Sequence, residues 1–162
     1  MKVLRGHAVR WLIILMMGGF IFLGTFSMQP WSPEGAIQET LQAMEMPGDV
    51  KAVSQIEAGK RISVIFWDEA HEMYHHSWMS CTLGLLWMPR GGGFGQTFQE
   101  EEWKIRFGEG FSRQGNGAYH YVIGQVNDPE IAKVEVLWRD GTKEVMEPVM
   151  GRLIHFAQEG QA

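Results

Sequence analysis

The feature that most constrains this chain is an uncharged apolar run from Trp11 to Met28. Its only side chains with a hydroxyl group are Thr25 and Ser27. As a helix, a run of this length spans roughly 27 Å, close to the ~30 Å hydrocarbon core of a bilayer. Because backbone amides in lipid must be hydrogen bonded within the segment, the run predicts a transmembrane helix over residues 11–28.

Lys and Arg residues flank this run on one side only. Lys2, Arg5 and Arg10 precede it, and the next basic residue is Lys51. The positive-inside rule therefore predicts a cytoplasmic N-terminus over residues 1–10 and an extracytoplasmic region from residue 29 onward, in a single-pass cell-membrane protein. A cleaved signal peptide is the alternative, but its apolar core is usually about 7–15 residues long. The longer run here favours an uncleaved signal-anchor.

Charge and cysteine content limit the classes of partner. Without the three N-terminal basic residues, 11 basic residues face 19 acidic ones, a net charge near −8 for the exported region. Phosphate binding needs clustered Lys and Arg, so nucleic acid is not an expected partner. The single Cys81 excludes an intramolecular disulfide, and the exported region has a length typical of one domain.

A short tether and helix are predicted over residues 29–48. Ser32 suits the N-cap, Pro33 the first helical position and Glu34 the positive end of the helix dipole. Apolar residues then recur with helical spacing until Pro47-Gly48 ends the helix.

Residues 49–162 show strand patterns separated by turn residues. The predicted strands are 50–56, 61–67, 73–81, 102–107, 118–126, 133–139, 142–147 and 152–157. Asp140-Gly141 predicts a type I′ turn, and the glycine runs at 91–95 and 108–117 predict connecting loops. Short strands at this spacing predict a mainly β protein with a single antiparallel β-meander or sandwich domain.

One motif suggests chemistry: His71-Glu72-Met73-Tyr74-His75 is an H-E-x-x-H sequence. On a helix, His71 and His75 would lie one turn apart and could bind zinc, with Glu72 as general base on the bound water. A third ligand would have to come from elsewhere, for example from the carboxylates at 100–102.

A second interpretation of the motif is favoured. In it, Asp68 to Glu72 form a hairpin turn and Met73 to Cys81 the outgoing strand, in which Tyr74, His76 and Trp78 share one face. The His71/His75 pair then loses its helical register. A non-catalytic metal site or a pH-responsive histidine cluster is left open.

Other residues invite functional interpretations that ordinary structure explains better. Cys81 is expected to be a small apolar residue and not a nucleophile. The Arg90–Gly95 run lacks the lysine and the following helix of a phosphate-binding loop. Five Trp residues, spread at one per strand, are expected to be core and not a ligand platform: Trp67, Trp78, Trp87, Trp103 and Trp138.

Part of the chain resembles a known group of proteins. The P-E-x-A-I helix, R-I-S-V-I-F-W, T-L-G-L-L-W-M-P-R-G-G-G, I-G-Q-V-N-D-P-E-I-A-K-V-E-V and R-L-I-H-F occur in this order over about residues 33–157. This order resembles uncharacterised small membrane-anchored or exported proteins of Bacillus-type Gram-positive bacteria. The resemblance implies a small β domain and transfers no catalytic residue.

These patterns predict a membrane-anchored extracytoplasmic β domain without a catalytic set. Its expected role is a non-catalytic interaction or sensing module of the cell envelope, with an envelope protein or glycan as partner. The alternative is an anchored zinc-dependent metallopeptidase that uses His71, Glu72 and His75.

Overall fold

Two helices and nine strands form the part of the chain that the computed structural model describes, residues 2–25, 31–46, 48–98, 102–114 and 117–160. The helices are α1 (Lys2–Thr25) and α2 (Pro33–Ala43). The strands are β1 (Val50–Ala58), β2 (Arg61–Asp68), β3 (Met73–Thr82), β4 (Leu86–Thr97), β5 (Ile105–Gln114), β6 (Gly117–Val126), β7 (Val134–Leu137), β8 (Lys143–Met146) and β9 (Leu153–Gly160). The prediction of a mainly β, antiparallel fold is confirmed.

The first helix, α1, contains most of the long apolar run. Its large apolar side chains from Trp11 to Ile21 are between 49% and 83% exposed. Within the described ranges, neither helix has the length and apolar character needed to cross a bilayer. The helical conformation is confirmed over residues 11–25, whereas the predicted membrane span stays a prediction, and its residues 26–28 lie outside the described ranges.

The second helix, α2, begins and packs as its sequence predicts. The Ser32 side chain accepts a hydrogen bond from the Gly35 N–H at 3.0 Å, and Pro33 stands in the first turn. The Glu34 carboxylate accepts a hydrogen bond from the Ala52 N–H at 3.0 Å, which joins the helix to β1. Ile37 and Leu41 are fully buried against the sheet.

The strands form two main antiparallel sheets and one hairpin. The first sheet has the order β1-β2-β3-β4, the second has the order β5-β6-β9, and β7 pairs only with β8. Strand β2 is buried on both faces because α2 packs on one side and the second sheet on the other. The β7–β8 hairpin covers the outer face of the second sheet, where it contacts Val126, Ile154 and Phe156.

The two main sheets approach each other closely at one edge. There β1 lies against β9, and a Cβ atom on Gly59 would collide with the Glu159 carboxylate. At the opposite edge, a cleft lies between β4 and β5, and residues of β3 and β6 also line it. We call these the closed edge (β1 and β9) and the open edge (β4 and β5).

Several predicted boundaries are wrong. The glycine-rich residues 91–95 are part of β4 and not a loop, and β5 continues through residues 108–114, which were predicted as a connection. Consecutive glycines in β4 (Gly91 to Gly93) and alternate glycines in β5 (Gly108 and Gly110) remove side chains, so the period-2 pattern is hidden. Strand β5 also begins at Ile105 instead of residue 102.

The turn between β7 and β8 also differs from the predicted type I′ geometry. Gly141 has φ of +88°, but Asp140 is not among the residues with positive φ, which a type I′ turn requires at both central positions. The Gly141 N–H donates to the Trp138 carbonyl at 3.0 Å, and the Asp140 carboxylate accepts from the Thr142 N–H at 2.9 Å. The loop is therefore one residue longer, with glycine in the left-handed position.

Candidate functional site

The H-E-x-x-H residues lie in a turn and a strand. Residues 69–72 form the turn between β2 and β3, with Glu72 at φ of +51°. His75 lies on β3 opposite Phe66 of β2. The hairpin interpretation is confirmed, and the catalytic-helix alternative is wrong because His71 and His75 do not share a helical face.

The two histidines of the motif bind different partners. The His71 Nδ1 lies 2.8 Å from the buried Asp68 carboxylate, which also accepts hydrogen bonds from the N–H groups of Ala70 and His71. Burial acts to raise the pKa of Asp68, but the hydrogen bonds from His71 and Ala70 outweigh it, and that pKa is lowered. The His75 Nδ1 instead accepts from the Gly95 N–H at 3.0 Å.

The motif residues are not arranged as in an H-E-x-x-H zinc site, which needs both histidines on one helix. Within the described part of the chain, no group of three or more His, Cys, Asp or Glu residues is placed to hold a metal ion. Burial lowers the pKa of His75. Glu102 is exposed, while the carboxylates of Glu100 and Glu101 lie outside the described residues. The set His71, Glu72 and His75 therefore lacks the helix on which the peptidase hypothesis depended.

Cys81 and the tryptophans occupy mostly structural positions. Cys81 is a free, half-buried thiol on β3. Trp78 is 2% exposed and packs between the sheets, in agreement with the predicted core role. Trp103 does not follow that prediction, because it precedes β5 and is 72% exposed.

A chain of buried serine and histidine side chains connects the two sheets. The Ser63 Oγ of β2 lies 2.8 Å from the His76 Nε2 of β3 and 2.7 Å from the His155 Nε2 of β9. The His155 Nδ1 lies 2.7 Å from the Ser54 Oγ of β1. Ser63, His76 and His155 are at most 1% exposed. We call these four residues the serine–histidine chain.

The number of available protons fixes the direction of hydrogen-bond donation along the serine–histidine chain. A serine hydroxyl has one proton, so Ser63 can donate to only one of its two histidines. If it donated to His76, the remaining N–H of that ring would be buried without a partner, because the His76 Nδ1 has none among the described residues. A buried donor without a partner is costly. We therefore assign donation from His76 to Ser63, from Ser63 to His155 and from His155 to Ser54.

The histidines of this chain are neutral at ordinary pH. Burial lowers the pKa of His76 to about 4. Burial, with a smaller contribution from the nearby His76, lowers the pKa of His155 to about 3. Although the Ser63 to His76 distance suits a nucleophile and its base, Ser63 is 0% exposed, so a substrate carbonyl cannot reach it. The chain is a structural element.

The cleft at the open edge has a volume of about 510 Å³ and is bordered by both sheets. Tyr74 and His76 of β3 line one side, and Tyr121 of β6 lies opposite, with its ring 4.4 Å from that of His76. Arg106 and Glu109 of β5 are exposed at its margin. The remaining wall is rich in glycine, contributed by Gly93, Gly95, Gly108 and Gly124.

Sequence patterns identified some of these residues and missed others. The predicted shared face of Tyr74, His76 and Trp78 is confirmed, because all three point between the sheets. Ser63 and His155 were missed. Each is a polar residue inside an otherwise apolar buried strand, and this isolated polarity was the available signal.

Comparison of the chain with protein-family models, with curated proteins and with solved structures gives no match. The functional assignment therefore depends on the geometry of the chain itself.

Proposed function

We propose that this protein is a non-catalytic recognition module of the cell envelope, and that the cleft at the open edge is its binding site. The observation that carries the proposal is the cleft itself, a space of about 510 Å³ between two sheets that are packed together at their other edge. Tyrosine, glycine backbone and one charge of each sign line it, which suits binding of an extended molecule.

The residues around the cleft support binding in preference to catalysis. His76 is held by Ser63 and its pKa is lowered to about 4, so it is a poor general base near neutral pH. Burial raises the pKa of Tyr74, which keeps its hydroxyl protonated. Neither group is poised for proton transfer.

Attachment to a membrane is the second part of the proposal. The apolar residues 11–28 supply the attachment, with residues 1–10 in the cytoplasm and residues 29–162 on the outer side. Support comes from the large apolar side chains of α1 from Trp11 to Ile21, which are at least 49% exposed. Such a surface needs an apolar environment.

Site-specific photo-crosslinking in intact producing cells tests recognition. A benzophenone amino acid replaces Gln96, which is exposed and lines the cleft, or the exposed Gln55 of β1 as a matched control. We expect the same adduct in repeated experiments from position 96 and not from position 55. Absence of an adduct at position 96, or equal adducts at both positions, would contradict recognition through the cleft.

Fractionation and thiol labelling test the attachment. We expect the full chain to stay in the membrane pellet after an alkaline carbonate wash, and Ile14→Asp with Leu15→Asp to release it. A single cysteine at position 55, in a Cys81→Ser background, is expected to react with a membrane-impermeant maleimide on intact cells. Release of the unmodified chain by carbonate, or labelling only after lysis, would overturn the attachment or its orientation.

A further inference from the structure

The cleft has features that define the kind of molecule it accepts, which goes one step beyond the proposed recognition function and rests on it. We infer that the cleft binds an extended polypeptide, which adds as a strand to the free edges of β4 and β5. The inference depends on strand pairing, on glycine positions and on the way in which the aromatic rings are occupied.

Both strands that border the open edge are edge strands. Among the described residues, β4 pairs only with β3, and β5 pairs only with β6. The outer side of an edge strand presents backbone N–H and C=O groups that another extended chain can use. The cleft is lined by Arg106 to Glu109 of β5 and by four residues of β4, namely Gly93, Gly95, Gln96 and Thr97, so the two edges border one space. Strand addition is the mode of recognition that suits such edges.

Glycines keep the walls of this space open. A Cβ atom on Gly108 would meet only the Ile123 carbonyl oxygen, at 4.0 Å, and one on Gly93 only the Gln96 Nε2, at 3.2 Å. Neither glycine has the positive φ that would itself require this residue. Glycine weakens a strand, and within strands it often marks a place where another backbone approaches closely.

The aromatic rings favour a peptide over a sugar. Sugar binding commonly uses an exposed ring face, but Tyr74 is 8% exposed and packs against Phe98, while Tyr121 packs against His76. A peptide needs no such platform. In our assignment the His76 Nδ1 is a buried hydrogen-bond acceptor, and it has no donor among the described residues. A backbone N–H group of a peptide is a donor of the kind that it lacks.

Binding of synthetic peptides to the full chain in detergent micelles tests the inference. The probe is a pool of random-sequence dodecapeptides, and each binder is then compared with its copy that is N-methylated at alternate residues. N-methylation removes backbone donors but keeps the side chains. We expect binders whose affinity falls about tenfold or more on N-methylation, because strand pairing is lost.

A matched pair of variants places the site. Gly108→Val adds a side chain into the cleft, whereas Gln55→Val adds the same side chain at an exposed position of β1. We expect Gly108→Val to weaken peptide binding about tenfold and Gln55→Val to leave it unchanged. Urea unfolding of both variants checks folding. If Gly108→Val does not fold, Gly93→Val on the opposite wall is used.

The possible results separate this inference from the proposed function. If the pool yields no binder, if N-methylated peptides bind equally well, or if Gly108→Val binds normally, strand addition is wrong. Binding of a chito-oligosaccharide probe that Gly108→Val abolishes would also overturn the peptide inference, but it would support recognition through the cleft. Loss of the specific photo-crosslink at position 96 would overturn the proposed function itself.

Discussion

The space between the two sheets is filled by side chains towards the closed edge and left as a cleft at the open edge. From the closed edge to the middle of the sheets, a packed cluster joins four strands through Ala58, Trp78, Tyr119 and Ala157, and the serine–histidine chain links β1, β2, β3 and β9. At the open edge, the space is left as a cleft of about 510 Å³. One pair of sheets therefore combines a closely packed region with an accessible cleft.

The serine–histidine chain joins the two sheets next to the cleft. Hydrogen bonds are directional, so the contacts among β1, β2, β3 and β9 fix the relative position of both sheets. His76 belongs to this chain and also lines the cleft, so the same hydrogen bonds hold one wall of the cleft in place.

Replacement of His155 is the strongest way to break the closed edge. His155→Ala removes a fully buried ring and leaves the hydroxyls of Ser54 and Ser63 without this partner. We expect the free energy of unfolding to fall by about 3–5 kcal/mol, from the cavity and the unsatisfied polar groups together. Urea unfolding of the full chain in micelles measures it.

Gln158→Ala, on the same strand, is the control for this substitution. Gln158 is only half-buried and its amide donates to the Asp140 carboxylate at 2.7 Å near the surface. We expect a loss below about 1 kcal/mol. Equal losses in the two variants would show that the serine–histidine chain does not hold the sheets together.

The pH dependence of stability tests the same serine–histidine chain without a substitution. The folded pKa values of His76 and His155 are about 4 and about 3, below the value of 6.5 in an unfolded chain. Above pH 6.5 both states are neutral and stability is complete. As the pH falls below 6.5, both histidines bind protons in the unfolded state but stay neutral in the folded state. The free energy of unfolding therefore decreases with decreasing pH.

Urea unfolding at pH 7 and pH 5.5 measures this loss, which we expect to be about 2–3 kcal/mol for the two histidines together. His155→Gln, which keeps a hydrogen-bonding side chain, is expected to remove the contribution of His155, whereas His76 and His75, whose pKa burial also lowers, keep theirs. The lowered pKa of Asp68 acts only below its ordinary value of 3.8, outside this range. A stability that does not change between pH 7 and pH 5.5 would contradict burial of neutral imidazoles.

The sequence predicted the parts of the fold that local chemistry determines. Ser32 and Pro33 set the start of α2. The turn residues before β2 located that strand, the shared face of Tyr74, His76 and Trp78 located β3, and apolar alternation located β7. The hairpin at residues 69–72 also followed, because His, Tyr and Trp around the motif are mediocre helix formers. Each of these features depends on neighbours within a few residues in the chain.

The candidate site was beyond this kind of prediction for two physical reasons. The serine–histidine chain joins residues up to 101 positions apart, so it depends on how the sheets meet. The walls of the cleft are glycine-rich strands, whose missing side chains remove the alternation that identifies a strand. Local sequence patterns show neither the long-range contacts of the serine–histidine chain nor the strands whose side chains are replaced by glycine.

The smallest predicted effect lies at the border between the two regions, at the adjacent glycines of β4. A Cβ atom on Gly92 would collide with the His76 carbonyl oxygen and lie 2.8 Å from the Ser77 Cα, whereas Gly93 faces the cleft. We therefore expect Gly92→Ala to cost about 1–3 kcal/mol through overpacking, and Gly93→Ala to change stability by less than about 0.5 kcal/mol. Urea unfolding of these two variants compares a position that abuts the backbone of β3 with the next position, which faces the cleft. If both substitutions were equally costly, the wall at Gly93 would be packed, and the open edge would lack the space that binding of an extended chain requires.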